Sequence, residues 1–121
     1  MAILKFRAWN KKERKMIDEV SLMKIRGKYH PCYFDIESKC DKVFHEKNFV
    51  IMQSTGLEDI NGKEIFENDI VELYNFIGEY VVEYSKEKAR FILKPIRKNR
   101  EEIDMIEGYP YIVIGNIFIG Y

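Results

Sequence analysis

The stretch FVIMQSTGLEDINGKEIFENDIVELY, residues 49–74, packs two strand patterns and two glycine turns into one short span, and its reading decides the fold. Phe49, Val50, Ile51 and Met52 form an apolar run of the kind that fits a pleated, half-buried surface. Ser54, Thr55 and Gly56 favour turns, because hydroxyls bond nearby backbone and glycine tolerates positive φ, so the strand is expected to end there. Asn61-Gly62 is a strong reversal signal, since a tight primed turn asks for positive φ at both central residues. Ile65 and Phe66 then lead through Glu67-Asn68-Asp69 into Ile70, Val71, Leu73 and Tyr74. An Asn-Asp pair ahead of an Ile-Val strand predicts a side-chain-capped turn that feeds the first strand of a small barrel.

Toward the N-terminus, residues 2–9 alternate, with Leu4, Phe6 and Ala8 on one side and Lys5, Arg7 and Trp9 on the other. That is a strand period. Residues 10–14 read as a charged turn, residues 15–17 as the returning arm of a hairpin, and residues 20–25 as a further strand closed by Gly27. Residues 28–47 give no clean period and are expected to form a loop or irregular arm, extended at His30-Pro31. Toward the C-terminus, strands are expected at residues 79–84, 89–93 and 111–119, the last with a bulge or tight bend at Gly115-Asn116. Residues 98–107, with Ile103 and Ile106 three apart, suit a single helical turn or a mobile loop.

Short strands joined by tight turns predict an all-β protein. Residues 49–121 are expected to hold an SH3-like small barrel, and residues 1–48 N-terminal strands and the irregular arm, within one compact unit. A strand-rich arm with edges to offer also suits a homo-oligomer.

Several runs resemble the signature of the YopX family, small proteins of bacteriophages and prophages. They are Met52-Gln53, Thr55-Gly56-Leu57, Asn61-Gly62-Lys63-Glu64-Ile65-Phe66-Glu67 and Asp69-Ile70-Val71. The opening Lys5-Phe6-Arg7-Ala8-Trp9-Asn10 with Lys15-Met16-Ile17, and the closing Val113-Ile114-Gly115-Asn116-Ile117-Phe118, resemble the family's two ends. Asn10 and Asn68 depart from the Asp or Gly common in many members. The resemblance implies a YopX-like unit over the whole chain and a function that the family leaves unassigned.

Composition narrows the function classes. The 121 residues carry 20 basic and 20 acidic side chains, so no net charge marks the molecule as a nucleic-acid binder. No apolar run reaches the roughly 18 residues of a membrane-spanning helix, and the N-terminus lacks a signal-peptide core. A cytoplasmic setting in a bacterial host is the expectation, with no membrane partner. Charge is nevertheless segregated: residues 1–30 hold nine Lys or Arg against three Asp or Glu, residues 58–87 hold two against nine, and residues 88–100 hold six against none. Either the blocks pair internally once folded, or they present charged surfaces to a partner.

Candidate chemistry is sparse. His30, Cys32, Cys40 and His45 are the metal-like group, but their spacing fits no common zinc finger or ribbon, and no metal or other cofactor is expected. Ser54 lacks the glycine pattern of a nucleophile elbow. Glu58-Asp59 and Glu101-Glu102 read as solvated charge. No phosphate-binding glycine loop is present. The candidate contacts for nucleic acid or a protein partner are Lys5, Arg7 and Trp9, which share a strand face, and Arg90, Lys94, Arg97 and Lys98, with Arg100, around Phe91. The ordinary alternative is that the rings are core anchors and the cations reach out to solvent.

The expected function is that of a non-enzymatic phage or prophage accessory protein, a protein-interaction or oligomeric assembly module. Its partner would be a second copy or an unidentified host or phage protein. The alternative is a nucleic-acid-binding small barrel supporting phage replication.

Overall fold

The computed structural model describes residues 4–43, 46–74, 78–97 and 100–120. The expected strand start at Ala2, together with His45 and Lys98, lies outside them. The fold is almost wholly antiparallel β, and the chain divides into two compact units, Met1–Gln53 and Ser54–Tyr121.

The first unit comprises β1 (Phe6–Asn10), β2 (Lys15–Ile25), β3 (Lys28–Asp35), β4 (Cys40–Val43) and the opening half of β5 (Phe49–Glu58), in spatial order β4-β3-β2-β1-β5. β1 lies between β2 and β5, and Arg7, Ala8, Trp9 and Asn10 are all buried. A central strand covered on both faces loses the in-out contrast that its sequence alternation suggests. The turn after it is fixed by the Asn10 side chain, whose Oδ1 accepts the N–H groups of Lys12 and Glu13 at 3.0 Å each.

Two expectations change here. The arm at residues 15–17 and the strand at residues 20–25 are one continuous β2, because a bulge absorbs the break: Phe6 pairs with Val20 but Ala8 with Ile17, so Asp18 and Glu19 together oppose Arg7. Residues 28–47 are also mostly regular, forming β3, β4 and a 3-10 turn at Glu46–Asn48. Their period is hard to read because apolar side chains occupy both faces of this hairpin.

The second unit contains the rest of β5, β6 (Glu64–Phe66), β7 (Asp69–Leu73), β8 (Glu79–Ser85), β9 (Arg90–Pro95), β10 (Ile103–Asp104) and β11 (Tyr111–Asn116). The last five form a sheet in the order β10-β9-β8-β7-β11. Val71 pairs with Tyr80, Val82 with Leu93 and Leu73 with Tyr111, so these side chains share one face and, with Ile65, form the core. Among the described residues no ladder joins β10 to β11, so the SH3-like closure expected from the sequence is not among these pairings.

The turn chemistry of residues 54–56 acts inside a strand. Ser54 Oγ accepts the N–H of Gly56 and Thr55 Oγ1 that of Leu57, while the Thr55 hydroxyl donates to the Ile65 carbonyl at 2.7 Å. The outcome is a bulge, with Ser54 opposite Phe66 and Glu58 opposite Glu64, and β5 runs on to Glu58. The Gly115 bulge is present, since Val113 pairs with Val71 but Gly115 with Ile70. Residues 100–107 hold the short edge strand β10 where a helical turn or a mobile loop was expected.

Candidate interaction surfaces

Cross-strand partners in an antiparallel pair project to the same side. In the β2–β3–β4 hairpin Met23 pairs with His30, Ile25 with Lys28, Cys32 with Val43, and Phe34 with Asp41. One face therefore carries Met23, Ile25, Phe34 and Val43, exposed at 42%, 40%, 59% and 41%. The other face carries Leu22, Pro31 and Tyr33, which are buried or half-buried. The hairpin is thus apolar on both sides, and one side meets solvent.

The same register separates the metal-like residues. His30 and Cys32 belong to the exposed face, whereas Cys40 pairs with Asp35 and belongs to the opposite one. Both thiols are free, and Cys40 Sγ lies 3.1 Å from Ser38 Oγ. Among the described residues no set of His, Cys, Asp or Glu side chains gathers as metal ligands.

The basic candidates divide between the units. Lys5 is exposed, but Arg7 and Trp9 beside it are buried at 7% and 5% exposure, so they form no open stacking platform. Phe91 packs against the core and meets Tyr84 edge-on, with centroids 5.2 Å apart and planes at 78°. Arg90 pairs with Asp104 at 3.0 Å, and Lys88 reaches the same carboxylate at 3.5 Å. Lys94 lies 3.7 Å from Glu83, diagonally across from it on β8. Arg97 and Arg100 make no ion pair among the described residues. With Lys94, Pro95 and Glu102 they line an open cleft of about 400 Å³.

Asp59 is the functional-looking residue that sequence reading misplaced. It is buried rather than solvated, and it organises a corner. Oδ1 accepts the N–H groups of Asn61 and Lys63 at 2.9 Å each, and Oδ2 accepts that of Val113 at 3.0 Å. Gly62 N–H donates to the Asp59 carbonyl, and Gly62, not Asn61, takes positive φ. The reversal is therefore an Asp-initiated turn with glycine in the fourth place, a pattern legible in Asp59-Ile60-Asn61-Gly62. Burial is the largest single influence on this carboxyl and raises it. The three backbone donors and the nearby Lys63 charge together outweigh burial and hold it below its ordinary 3.8.

A second cleft, also of about 400 Å³, opens beside this corner between residues 56–60 and 107–111. In its wall Tyr111 donates to the Ile106 carbonyl and accepts the Ile106 N–H at 2.8 Å, and burial pushes its hydroxyl above the ordinary 10.0. Both Asp59 oxygens accept backbone hydrogen bonds, so that carboxylate holds the corner together.

The Asn61-Gly62 part of the first turn, Asp69 and the Gly115 bulge fall within the runs that carry the family resemblance, and the family model for the YopX protein matches residues 5–119. The chain belongs to the YopX family. Membership suggests a phage-type protein of unassigned function. The YopX chain is also similar in structure to protein EF1440 from Enterococcus faecalis, with a TM-score of 0.64 and 26% identity, covering 98% of this chain and 95% of that one. No curated protein matches it.

Proposed function

We propose that this YopX protein is a non-enzymatic accessory module that assembles with a second copy of itself in the cytoplasm of a bacterial host. The observation that supports this is the exposed apolar face of β2–β3–β4. Four large apolar side chains are exposed on this one face of regular sheet, where they cost solvation unless a partner covers them. A face whose exposed apolar side chains are interspersed with Lys28 and Asp41 can pair with its own twin, which suits a second copy related by a twofold axis. The two free thiols fit a reducing compartment.

Sedimentation velocity over a concentration series tests the reading. Wild type is expected to show a reversible dimer, and Phe34→Lys with Met23→Glu a folded monomer. A wild-type protein that stays monomeric at the highest concentrations reached would overturn it.

A further inference from the structure

The sequence singles out a basic block at residues 88–100 that self-assembly does not use. The fold consumes its first half, since Lys88 and Arg90 neutralise Asp104 at the edge of the sheet. The second half is treated differently. Pro95 closes β9 opposite Tyr80, and the next N–H, that of Ile96, donates to the Glu79 carbonyl at 3.0 Å. This ties the segment that follows to the start of β8.

Arg100 is seated on the same place. Gly78 has a φ of +141°, and a Cβ built there would stand 3.4 Å from Arg100 Nε and 3.5 Å from its Cδ and Cζ. The guanidinium therefore lies across bare backbone, in space that a side chain at position 78 would contest. Lys94, Arg97 and Arg100 thus line one cleft, in which Glu102 is the carboxylate found among the described residues. The bond from Lys94 to Glu83 is an exposed pair, with side chains 61% and 42% open. Such pairs hold weakly, and an arriving anion competes with them readily.

We propose that this cleft binds the phosphate groups of a nucleic-acid backbone without reading the bases. Guanidinium forks match phosphate oxygens two at a time. The cleft is open and its cations are exposed, so a single phosphate gains little there, whereas a chain of phosphates engages all three cations and releases counterions. Base stacking is absent from the proposal because Trp9 is buried and Phe91 packs on the core. Single and double strands of any sequence should therefore bind comparably. This site lies in the second unit and does not depend on the assembly reading.

The test is fluorescence anisotropy with labelled oligo-dT and with a mixed-sequence duplex, at low and near-physiological salt. Wild type should bind both, with duplex affinity falling roughly tenfold to fortyfold and oligo-dT affinity roughly sevenfold to twentyfold across a fourfold rise in salt, as two or three phosphate contacts require. Arg97→Gln with Arg100→Gln should weaken binding about tenfold and flatten the salt slope. Lys11→Gln with Lys12→Gln removes the same charge from an exposed turn of the first unit and should change affinity less than twofold. Thermal melts by circular dichroism establish that both variants fold. No wild-type binding at low salt, or an equal loss in the Lys11/Lys12 variant, overturns the proposal. Inorganic pyrophosphate or poly-glutamate binding more tightly than the oligonucleotides also overturns it, assigning the cleft to a small polyphosphate or to an acidic protein.

Discussion

Asp59 and Asp69 show how two short side chains set the corners of the second unit. Asp69 is 1% exposed, and its Oδ2 accepts the N–H of Phe66 at 2.9 Å across a turn in which Asn68 takes positive φ. That capped turn was legible, because Asn and Asp before a strand are read by their own backbone chemistry. The role of Asp59 was not, since one of its three donors, Val113, is 54 positions away. Its carboxyl is depressed in the folded state, so the stability it adds is complete above its unfolded value and is lost as pH falls through the folded one. Asp59→Asn should therefore flatten the acid limb of a stability-versus-pH curve, and Asp59→Ala should cost about 2 kcal/mol at neutral pH by leaving backbone donors unmet; urea titrations across pH check both. Tyr111 works in the other direction. Its hydroxyl is raised, so its contribution is complete below its unfolded value near 10.0 and disappears as pH climbs through the folded one. Tyr111→Phe should lose about 1 kcal/mol near neutrality and blunt the alkaline limb.

Among the elements, strands were readable where one face is buried and the other wet, as in β8, and unreadable where that contrast fails. β1 reads as a strand from its alternation although both of its faces are covered, whereas the β2–β3–β4 hairpin, apolar on both sides, presents no simple alternation, and residues 28–47 read as an irregular arm. β5 hides differently: its turn-forming Ser54 and Thr55 spend their hydroxyls on a bulge rather than a reversal. The two kinds of apolar position should separate under mutation. Leu93 is wholly buried, and Leu93→Ala should cost about 2–5 kcal/mol through lost burial and a residual cavity. Phe34 is 59% exposed, and Phe34→Ala should leave the urea midpoint nearly unchanged while weakening self-association in sedimentation. Equal destabilisation by both would show that Phe34 belongs to a core.

Over the molecule as a whole, the charge blocks of the sequence resolve into both of their readings. Arg90 and Lys88 share the carboxylate of Asp104 within the sheet, as internal pairing requires, while Arg97 and Arg100 remain as surface charge. Nothing in a linear string separates these outcomes, because Asp104 meets Arg90 through a two-residue strand that composition does not announce. The edge strand β4 bears on how copies meet. A strand that pairs antiparallel with its own twin about a twofold axis must place one residue opposite itself, because opposed side chains share a face. Within Cys40–Val43 the central choices are Asp41 against Asp41 or Lys42 against Lys42, and each sets like charges together. Edge-to-edge growth of a continuous sheet is thereby discouraged at this border. Under the assembly proposed above, copies would meet face to face rather than edge to edge, and a face that pairs with its own twin about a twofold axis closes at two.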